Sequence, residues 1–437
     1  MNRLIRLAVA AMFAVTALRA APPPRSMSLA ACIRTALERS PDVAAAQSLV
    51  DSARAGVKIS HAGYLPQLDV GMAYTRQSYN YWAEPGTPPF LWRQFYRGES
   101  ATSAPYYYGG LNLAQTIFDF GRTKGAVEMS QAQLQAAEHN LLFVRDQVAY
   151  NVRTAYYTVI AAQKAVGIQQ ATLGNAKKHL DQSLAFHRNG TVPGINVTSG
   201  QLAVANAQLA LRQTRETLKV DRAELATAMG IPVDQAPEPL GTLPSPGPEP
   251  AFNQLLQEAD QNRADLLAQF DQVKAALGNE LAARGAMRPD ISLGAFLSFR
   301  NLTWPLIYNW SLGQALAQSL FSGGANTAHL RQAQAQQAAV QHDVDSLKLE
   351  VQQQVYAALS NLKVARDQIA TAMVADRFAR QNLALAEGRY SVGVGNIVEL
   401  NDAQTQATSA ALQLLAARYN YQVAKARLDF VLGRGPK

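Results

Sequence analysis

The chain of 437 residues is long enough for two or three ordinary domains, and its hydrophobic content of 48% is ample for a folded protein. Alanine and glutamine are abundant, whereas large aliphatic residues are few, which is typical of closely packed long helices rather than of an α/β core. The formal net charge of +8 falls to about +5 without Arg3, Arg6 and Arg19 of the N-terminal segment. The remaining basic residues are scattered, so nucleic-acid binding is not expected.

The N-terminus has the features of a cleaved secretory signal peptide. Residues 1–21 combine a basic start, an apolar run from 7 to 18 and small residues at the end, which predicts export. Residues 29–32 resemble a lipoprotein cleavage box, but prolines separate them from the apolar run. Lipidation of Cys32 is therefore disfavoured, and the simpler interpretation is a small apolar residue on the first helix. A single cysteine cannot form an intrachain disulfide, and no His/Cys cluster predicts a metal or cofactor.

The chain contains the same order of helices and strands twice. Pro66 and Pro289, which are 223 positions apart, each separate an Ala-rich helix from an alternating strand. Later landmarks recur with a shift of 203, pairing Phe118 with Phe321, Gly190 with Gly393, and Gly230 with Gly433. A period of roughly 200 residues is far above that of a solenoid and indicates a duplicated domain. The predicted organisation is a first repeat at 28–230, a Pro-rich linker at 231–250 and a second repeat at 251–433.

The first part of each repeat predicts a helix followed by a strand hairpin. Helical spacing covers residues 28–63, with a break at Pro41. Two-residue alternation of apolar and polar side chains then predicts strands at about 67–81 and 106–117. These strands have two chemically different faces, one apolar and one polar or small.

A proline-free helical pattern follows the first hairpin, from Gly121 to about Phe186. Such a helix has roughly 65 residues and a length of about 100 Å at 1.5 Å per residue. Ordinary globular domains do not contain helices of this length, so neighbouring helices must support it laterally. A turn at 189–194 then leads into a second helix at about 196–229.

The second repeat predicts the same elements in the same order. A helix is expected from about Phe252 to Ala286, followed by strands at about 290–300 and 308–319. A long helix at about 325–387 and a last helix at 396–432 complete the repeat.

The tryptophans concentrate in and beside the two strand hairpins. All four, Trp82, Trp92, Trp304 and Trp310, lie there and none lies in a predicted helix. Amphipathic rings at strand ends are typical of a bilayer interface, and the alternative is the core of a β-sandwich. Four strands make a poor sandwich and cannot close a barrel, and an open sheet edge cannot face lipid. In contact with membrane lipid, the strands would therefore form a barrel from several copies.

These features resemble the TolC-type outer-membrane channel family, also called outer membrane factors. The resemblance covers essentially the whole mature chain and is carried by QTIFDFGR at 115–122, QSLFSGG at 318–324, GRYSVG at 388–393 and IVELNDA at 397–403. It implies an all-α long-helix tunnel plus a membrane β-barrel, built from duplicated helix-hairpin-helix halves with four strands per chain and closed as a trimeric twelve-stranded barrel. It also implies an outer-membrane location in a Gram-negative bacterium, with a large periplasmic extension.

The same resemblance implies a passive export channel that is docked by a periplasmic adaptor onto an inner-membrane transporter, in tripartite efflux or type I secretion. Its gate would lie at the periplasmic helix tips. Glu399 and Asp402 match acidic positions that ring the entrance in the family, where a carboxylate ring favours cations. Tyr390 matches a residue that holds the entrance closed, but its acidic partner position is Asn196 here and the basic lock position is Gly395. The closed state is therefore expected to depend more on helix packing than on ion pairs.

Adaptor docking is expected at the two helix-turn-helix tips. The candidate residues are Gly190 and Thr191 in the first tip, and Val392, Gly393 and Val394 in the second. Small residues let another backbone approach closely, and the same glycines also permit left-handed turns.

Enzymatic activity is not expected, because the six histidines show no metal-ligand spacing and the sequence has neither a nucleophile elbow nor a phosphate loop. The alternative function is a periplasmic coiled-coil scaffold or adaptor without a pore. Sustained helices fit that alternative, whereas paired alternating hairpins with clustered aromatic residues do not.

Overall fold

The computed structural model describes residues 26–78, 103–247, 251–301 and 304–435. The predicted signal peptide and two of the predicted interface tryptophans, Trp82 and Trp92, lie outside these ranges. The described helices are α1 Leu29–Arg39, α2 Pro41–His61, α3 Arg122–Arg188, α4 Gly194–Ala228, α5 Phe252–Asn262, α6 Ala264–Gly285, α7 Ala325–Ser391 and α8 Ile397–Val431. The described strands are β1 Ser26–Met27, β2 Gln67–Ser78, β3 Ser103–Phe118, β4 Glu238–Pro239, β5 Asp290–Asn301 and β6 Ile307–Ala317.

The long helices α3 and α7 each contain 67 residues, and the return helices α4 and α8 each contain 35. Equal lengths in the two repeats confirm the predicted long-helix fold with duplicated halves. Among the described helices, none is long and apolar enough to span a bilayer.

The contacts divide the chain into two compact units, and each sequence repeat contributes to both. The first unit comprises the described residues up to Ala45 together with Leu142–Arg263 and the chain from Val351 onward. The second comprises Ala46–Leu141 and Ala264–Glu350.

The second unit contains a four-stranded antiparallel sheet in the order β2-β3-β5-β6. Its register aligns side chains of one kind on each face. One face carries the cross-strand row Val70, Leu111, Leu297 and Trp310. The opposite face carries the neighbouring row Gly71, Gly110, Ser298 and Asn309. One face is thus apolar and the other is polar or small, and β2 and β6 form the two edges.

The second unit also contains a close crossing of α3 and α6. A Cβ added at Gly125 would lie 2.4 Å from the backbone nitrogen of Ala282, and one at Gly278 would lie 2.5 Å from that of Met129. Side chains at these positions would overlap the backbone of the other helix. The two glycines therefore allow a helix-to-helix approach that even alanine prevents.

In the first unit, the predicted linker is held by specific contacts. The short strand β4 pairs in parallel with β1. The Tyr156 hydroxyl, on α3, donates to the carbonyls of Met27 and Leu240, which belong to these two segments. The Gln422 amide on α8 also donates to the Pro244 carbonyl at 2.7 Å. The described part of the inter-repeat segment, residues 231–247, is therefore held by backbone pairing that its proline-rich sequence does not indicate.

The structure corrects one predicted helix. The pattern from Phe252 to Ala286 indicated a single helix, but the chain breaks at Arg263, between α5 and α6. The break recurs 223 positions after Ser40, which separates α1 from α2. In both repeats the backbone at the break packs against the glycine that ends the last helix, Gly230 in the first repeat and Gly433 in the second. The break is thus fixed by tertiary packing and needs no proline.

The α3–α6 crossing leads to a stability prediction. We expect Gly278→Ala to lower the free energy of unfolding by about 1–3 kcal/mol, because the new methyl group overlaps backbone rather than a flexible side chain. Gly167→Ala on α3 is the matched control, since nothing lies within 4 Å of its added Cβ. The control should be stabilised by about 0.5–1 kcal/mol. Denaturant unfolding of both variants in detergent measures the difference, and equal stabilities would contradict the packing argument.

Candidate functional site

The two helical hairpins end in tips with the same backbone geometry. The first tip, residues 189–193, joins α3 to α4, and the second tip, residues 392–396, joins α7 to α8. Gly190 and Gly393 have φ values of +70° and +80°, which favour glycine. Each glycine N–H and the next N–H bond to carbonyls of the last helical turn, which is the Schellman arrangement that satisfies a helix C-terminus.

The second tip is tighter than the first because of Gly395. Its N–H donates to the Arg389 carbonyl at 3.0 Å, and an added Cβ would lie 2.8 Å from the backbone nitrogen of Tyr390. Asn396 then caps α8, its side-chain oxygen accepting from the Val398 N–H at 3.0 Å. Position 395 therefore has no space for the basic side chain that the family resemblance places there.

Tyr390 lies in the hydrophobic cluster beneath the second tip and is only 2% exposed. The cluster consists of Tyr390, Ala386, Ile397, Leu400 and Ala403, with Phe186 and Leu383 packed against it. The Phe186 and Tyr390 rings meet edge to face, with centroids 5.8 Å apart. The Tyr390 hydroxyl lies 2.7 Å from the Ser183 hydroxyl, which in turn donates to the His179 carbonyl. Tyr390 thus connects α7 to α3 through both packing and a hydrogen bond.

The two candidate acids lie on the exposed side of α8. A guanidinium nitrogen of Arg389 is 3.4 Å from the Glu399 carboxylate, and both side chains are well exposed. Asp402 is exposed and forms no ion pair with the described part of the chain. Of the two candidate acids, Glu399 is therefore paired with a cation, whereas Asp402 is exposed without one in the described chain.

Asn196 is the one predicted gate residue that the structure does not bring to the others. It lies in the first turn of α4 and its N–H bonds to the Pro193 carbonyl at 3.1 Å. The Tyr390 hydroxyl is instead bonded to Ser183, and Asn196, which occupies the partner position implied by the resemblance, forms no bond with Tyr390 in the described chain. Ser183 escaped prediction because it is 207 positions from Tyr390 and sits in a long helix with no local signal.

The candidate docking residues differ between the tips. Val392 and Val394 are 72% and 70% exposed on either side of Gly393. In the first tip, Thr191 is exposed, and its hydroxyl donates to the Phe186 carbonyl at 2.7 Å. Among the candidate residues, the second tip thus presents two exposed valines, whereas the first presents a threonine whose hydroxyl is bonded to its own helix end.

A pair of ionisable residues, one buried and one partly exposed, lies just above the second tip and was not predicted. The Nε2 of His179 on α3 is 3.3 Å from a carboxylate oxygen of Glu387 on α7. The His179 side chain is only 4% exposed, compared with 36% for Glu387. Burial lowers the pKa of His179 below its usual value, and the nearby Glu387 offsets this only in part.

The remaining predicted residues are placed as follows. Cys32 is fully buried in the first turns of α1, where burial raises the pKa of its thiol to about 11. Trp304 and Trp310 are exposed, and Trp310 lies on the apolar face of the sheet. Over the described ranges, no group of three or more His, Cys, Asp or Glu side chains is arranged to hold a metal ion.

Comparison with known proteins identifies the class to which this architecture belongs. The sequence matches the outer membrane efflux protein family over residues 32–231 and 255–434, that is, over both repeats. The chain therefore belongs to the outer membrane efflux protein family. This confirms the resemblance drawn from the motifs, the outer-membrane location and the export-channel class, and it leaves the non-pore scaffold without support.

Individual relatives span nearly the whole chain at low identity. SilC of Salmonella typhimurium, described as a probable outer membrane lipoprotein, is 24% identical over 423 residues, covering 92% of this chain and 85% of the relative. Outer membrane protein TolC of Escherichia coli K12 is 23% identical over 418 residues, covering 88% and 77%. The crystal structure of VceC from Vibrio cholerae superposes with a TM-score of 0.78 at 20% identity, covering 94% of this chain and 97% of that one.

The Tyr390–Ser183 contact can be tested by a double-mutant cycle. Ser183→Ala leaves the buried Tyr390 hydroxyl without its partner, at a cost of about 1–3 kcal/mol in local stability, whereas Tyr390→Phe removes one hydrogen bond, at a cost of about 1 kcal/mol, because Ser183 still donates to the His179 carbonyl. The double variant should cost less than the sum, because neither hydroxyl remains. Hydrogen exchange of residues 386–394 provides the measurement, with Asn196→Ala as the control. An Asn196→Ala effect as large as that of Ser183→Ala would show that the Ser183 contact is not the relevant one.

Proposed function

We propose that three copies of this chain form one outer-membrane channel, with the strands closing a twelve-stranded barrel and the long helices forming a periplasmic tunnel. The observation that carries this proposal is the four-stranded sheet. It has one apolar face, and its edge strands β2 and β6 have no outer strand partner in the described chain. Pairing β6 of one copy with β2 of the next satisfies both edges and places the apolar face towards lipid.

The proposed gate lies at the tips, where Glu399 and Asp402 of three copies surround the entrance. Three copies contribute six carboxylates, together with three Arg389 guanidinium groups that pair with Glu399. The net charge of this ring is negative, so it favours the passage of cations and binds divalent cations. Tyr390 and its cluster hold the second hairpin against α3 in the closed state.

We further propose that the tips dock a periplasmic adaptor, which connects the channel to an inner-membrane transporter of a tripartite efflux or type I secretion system. Two exposed valines on a tight glycine turn, Val392 and Val394, offer an apolar contact that costs little to desolvate. Gly393 shapes the turn that presents these valines, whereas Gly190 shapes the first tip, where Thr191 is the exposed candidate for docking.

Single-channel conductance in planar bilayers tests the channel and its entrance. The wild-type trimer, checked by native mass spectrometry, should give a cation-selective current that divalent cations reduce. In Glu399→Gln/Asp402→Asn, Arg389 remains without a counter-charge, so cation selectivity should be lost or reversed.

Glu216→Gln, which removes an exposed acid of α4 paired with Lys219, is the control and should keep the wild-type selectivity. Unchanged selectivity in the double variant would discard the gate assignment but keep the pore. The absence of any channel would discard the proposed function.

Docking is tested separately by Val392→Asp/Val394→Asp. Charges on this apolar surface should leave trimer formation and bilayer conductance intact but reduce dye efflux from native-host cells by at least about tenfold, because a desolvated charge costs several kcal/mol in an interface. Val233→Asp, an exposed valine in the linker, is the matched control. Wild-type efflux by the double variant would show that the second tip does not dock the adaptor. This pair of residues is a cleaner probe than Gly393, whose positive φ makes any side chain strained.

A further inference from the structure

His179 is an unusual residue for a helix packed this tightly. It is the only histidine among the described residues that is buried, and no hydrophobic or metal-binding role accounts for it. It belongs to α3, about two turns before the end of that helix, and its side chain contacts α7. Glu387 and Tyr390 occupy successive turns of α7 at this level.

We propose that the His179–Glu387 contact is a latch between α3 and α7 that is closed at neutral pH and released by acid. The effect on channel opening rests on the proposed function of the tips, whereas the latch itself does not. The geometry that carries the proposal is a nearly fully buried imidazole with one partly exposed anionic partner.

The neutral imidazole suits this position. With Nε2 protonated, it donates to the Glu387 carboxylate across 3.3 Å, so one polar contact joins the two helices. The next turn repeats the connection, because Ser183 bonds both the His179 carbonyl and the Tyr390 hydroxyl. The latch and the Tyr390 cluster therefore hold the same two helices along consecutive turns.

The protonated imidazole suits the position poorly. A charge on His179 would be almost completely removed from water, while its single counter-ion is about one-third exposed and screened by solvent. Attraction to Glu387 therefore does not compensate the desolvation of the cation. Protonation favours any arrangement in which His179 reaches water, which requires α3 and α7 to separate locally.

The other charged groups around His179 do not make its protonation favourable. On α3 itself, Lys178 opposes protonation. On α8, Asp402 lines the same groove as His179. The α4 residues that line this groove, among them Ser199, Leu202 and Asn206, carry no charge. Since the pKa of His179 is lowered, the stability it contributes is present above its unfolded pKa of about 6.5 and is lost as pH falls below that value.

Hydrogen exchange measures the latch without requiring a channel. In the purified full-length protein, protection of residues 179–190 and 386–394 should fall roughly threefold or more between pH 7.5 and 5.5, after correction for the intrinsic exchange rate. His179→Gln keeps a side-chain donor but cannot titrate, so this fall should disappear. His342→Gln, at a histidine with an 83% exposed side chain on α7, should behave like the wild type.

Glu387→Gln provides a second, independent arm. The amide oxygen keeps the acceptor but removes the compensating charge, so the midpoint of the pH response should move to lower pH. A wild-type pH response in His179→Gln, or a midpoint that stays or rises in Glu387→Gln, would overturn the latch.

Bilayer conductance at the two pH values separates the latch from the channel. If His179→Gln abolishes an acid-induced increase in conductance, the latch controls the entrance. If the exchange response depends on His179 but no channel forms, the latch stands and the proposed function fails. If conductance responds to pH equally in the wild type and in His179→Gln, the latch does not control the entrance and this inference is rejected.

Discussion

Unpaired backbone at the two edges of a four-stranded sheet is the constraint on which the rest of the structure depends. The sheet exposes an apolar face, and the outer N–H and C=O groups of β2 and β6 lack strand partners in the described chain. In lipid each unsatisfied backbone group costs several kcal/mol, so a single copy cannot be the membrane-embedded state. When copies pair through β2 and β6, no unpaired edge remains. Because each chain carries two hairpins, half as many chains must assemble as if each chain carried one.

The duplication also explains why the two tips have different chemistry. Both repeats preserve the backbone elements that glycine controls, which are the turns at Gly190 and Gly393. Side chains on these shared turns are free to diverge. The first tip uses Thr191 to bond its own helix end, whereas the second uses Gly395 and Asn396 to tighten the turn and start α8. The two candidate acids, the buried tyrosine and the exposed valines all lie in or beside the second tip, so in the proposed function the repeats share a scaffold but not a role.

The sequence predicts those structural elements whose positions depend on local periodicity. Helical and strand patterns place the long helices, the four strands and the glycine turns, and the family motifs lead to the region of Tyr390 and Glu399. The features that the sequence did not predict all depend on contacts between residues that are distant in sequence. The break at Arg263 has no proline and is fixed by the close approach of Gly433. Ser183 and His179 are polar residues in an otherwise ordinary helix, and only the register of α3 against α7 shows that they are buried partners.

The relative size of these contacts indicates what holds the second hairpin against α3. Arg389–Glu399 is a solvent-exposed ion pair, and such pairs contribute about 0–1 kcal/mol and weaken with salt. Burial of the Tyr390 side chain contributes about 1.5–3 kcal/mol by area, and its hydrogen bond to Ser183 adds about 1 kcal/mol. Packing therefore outweighs the ion pair at the tip. A closed state built in this way responds little to ionic strength. In the proposed channel, such a state would respond more to whatever separates α3 from α7, whether that is an adaptor that packs against the exposed valines or a proton on a buried histidine.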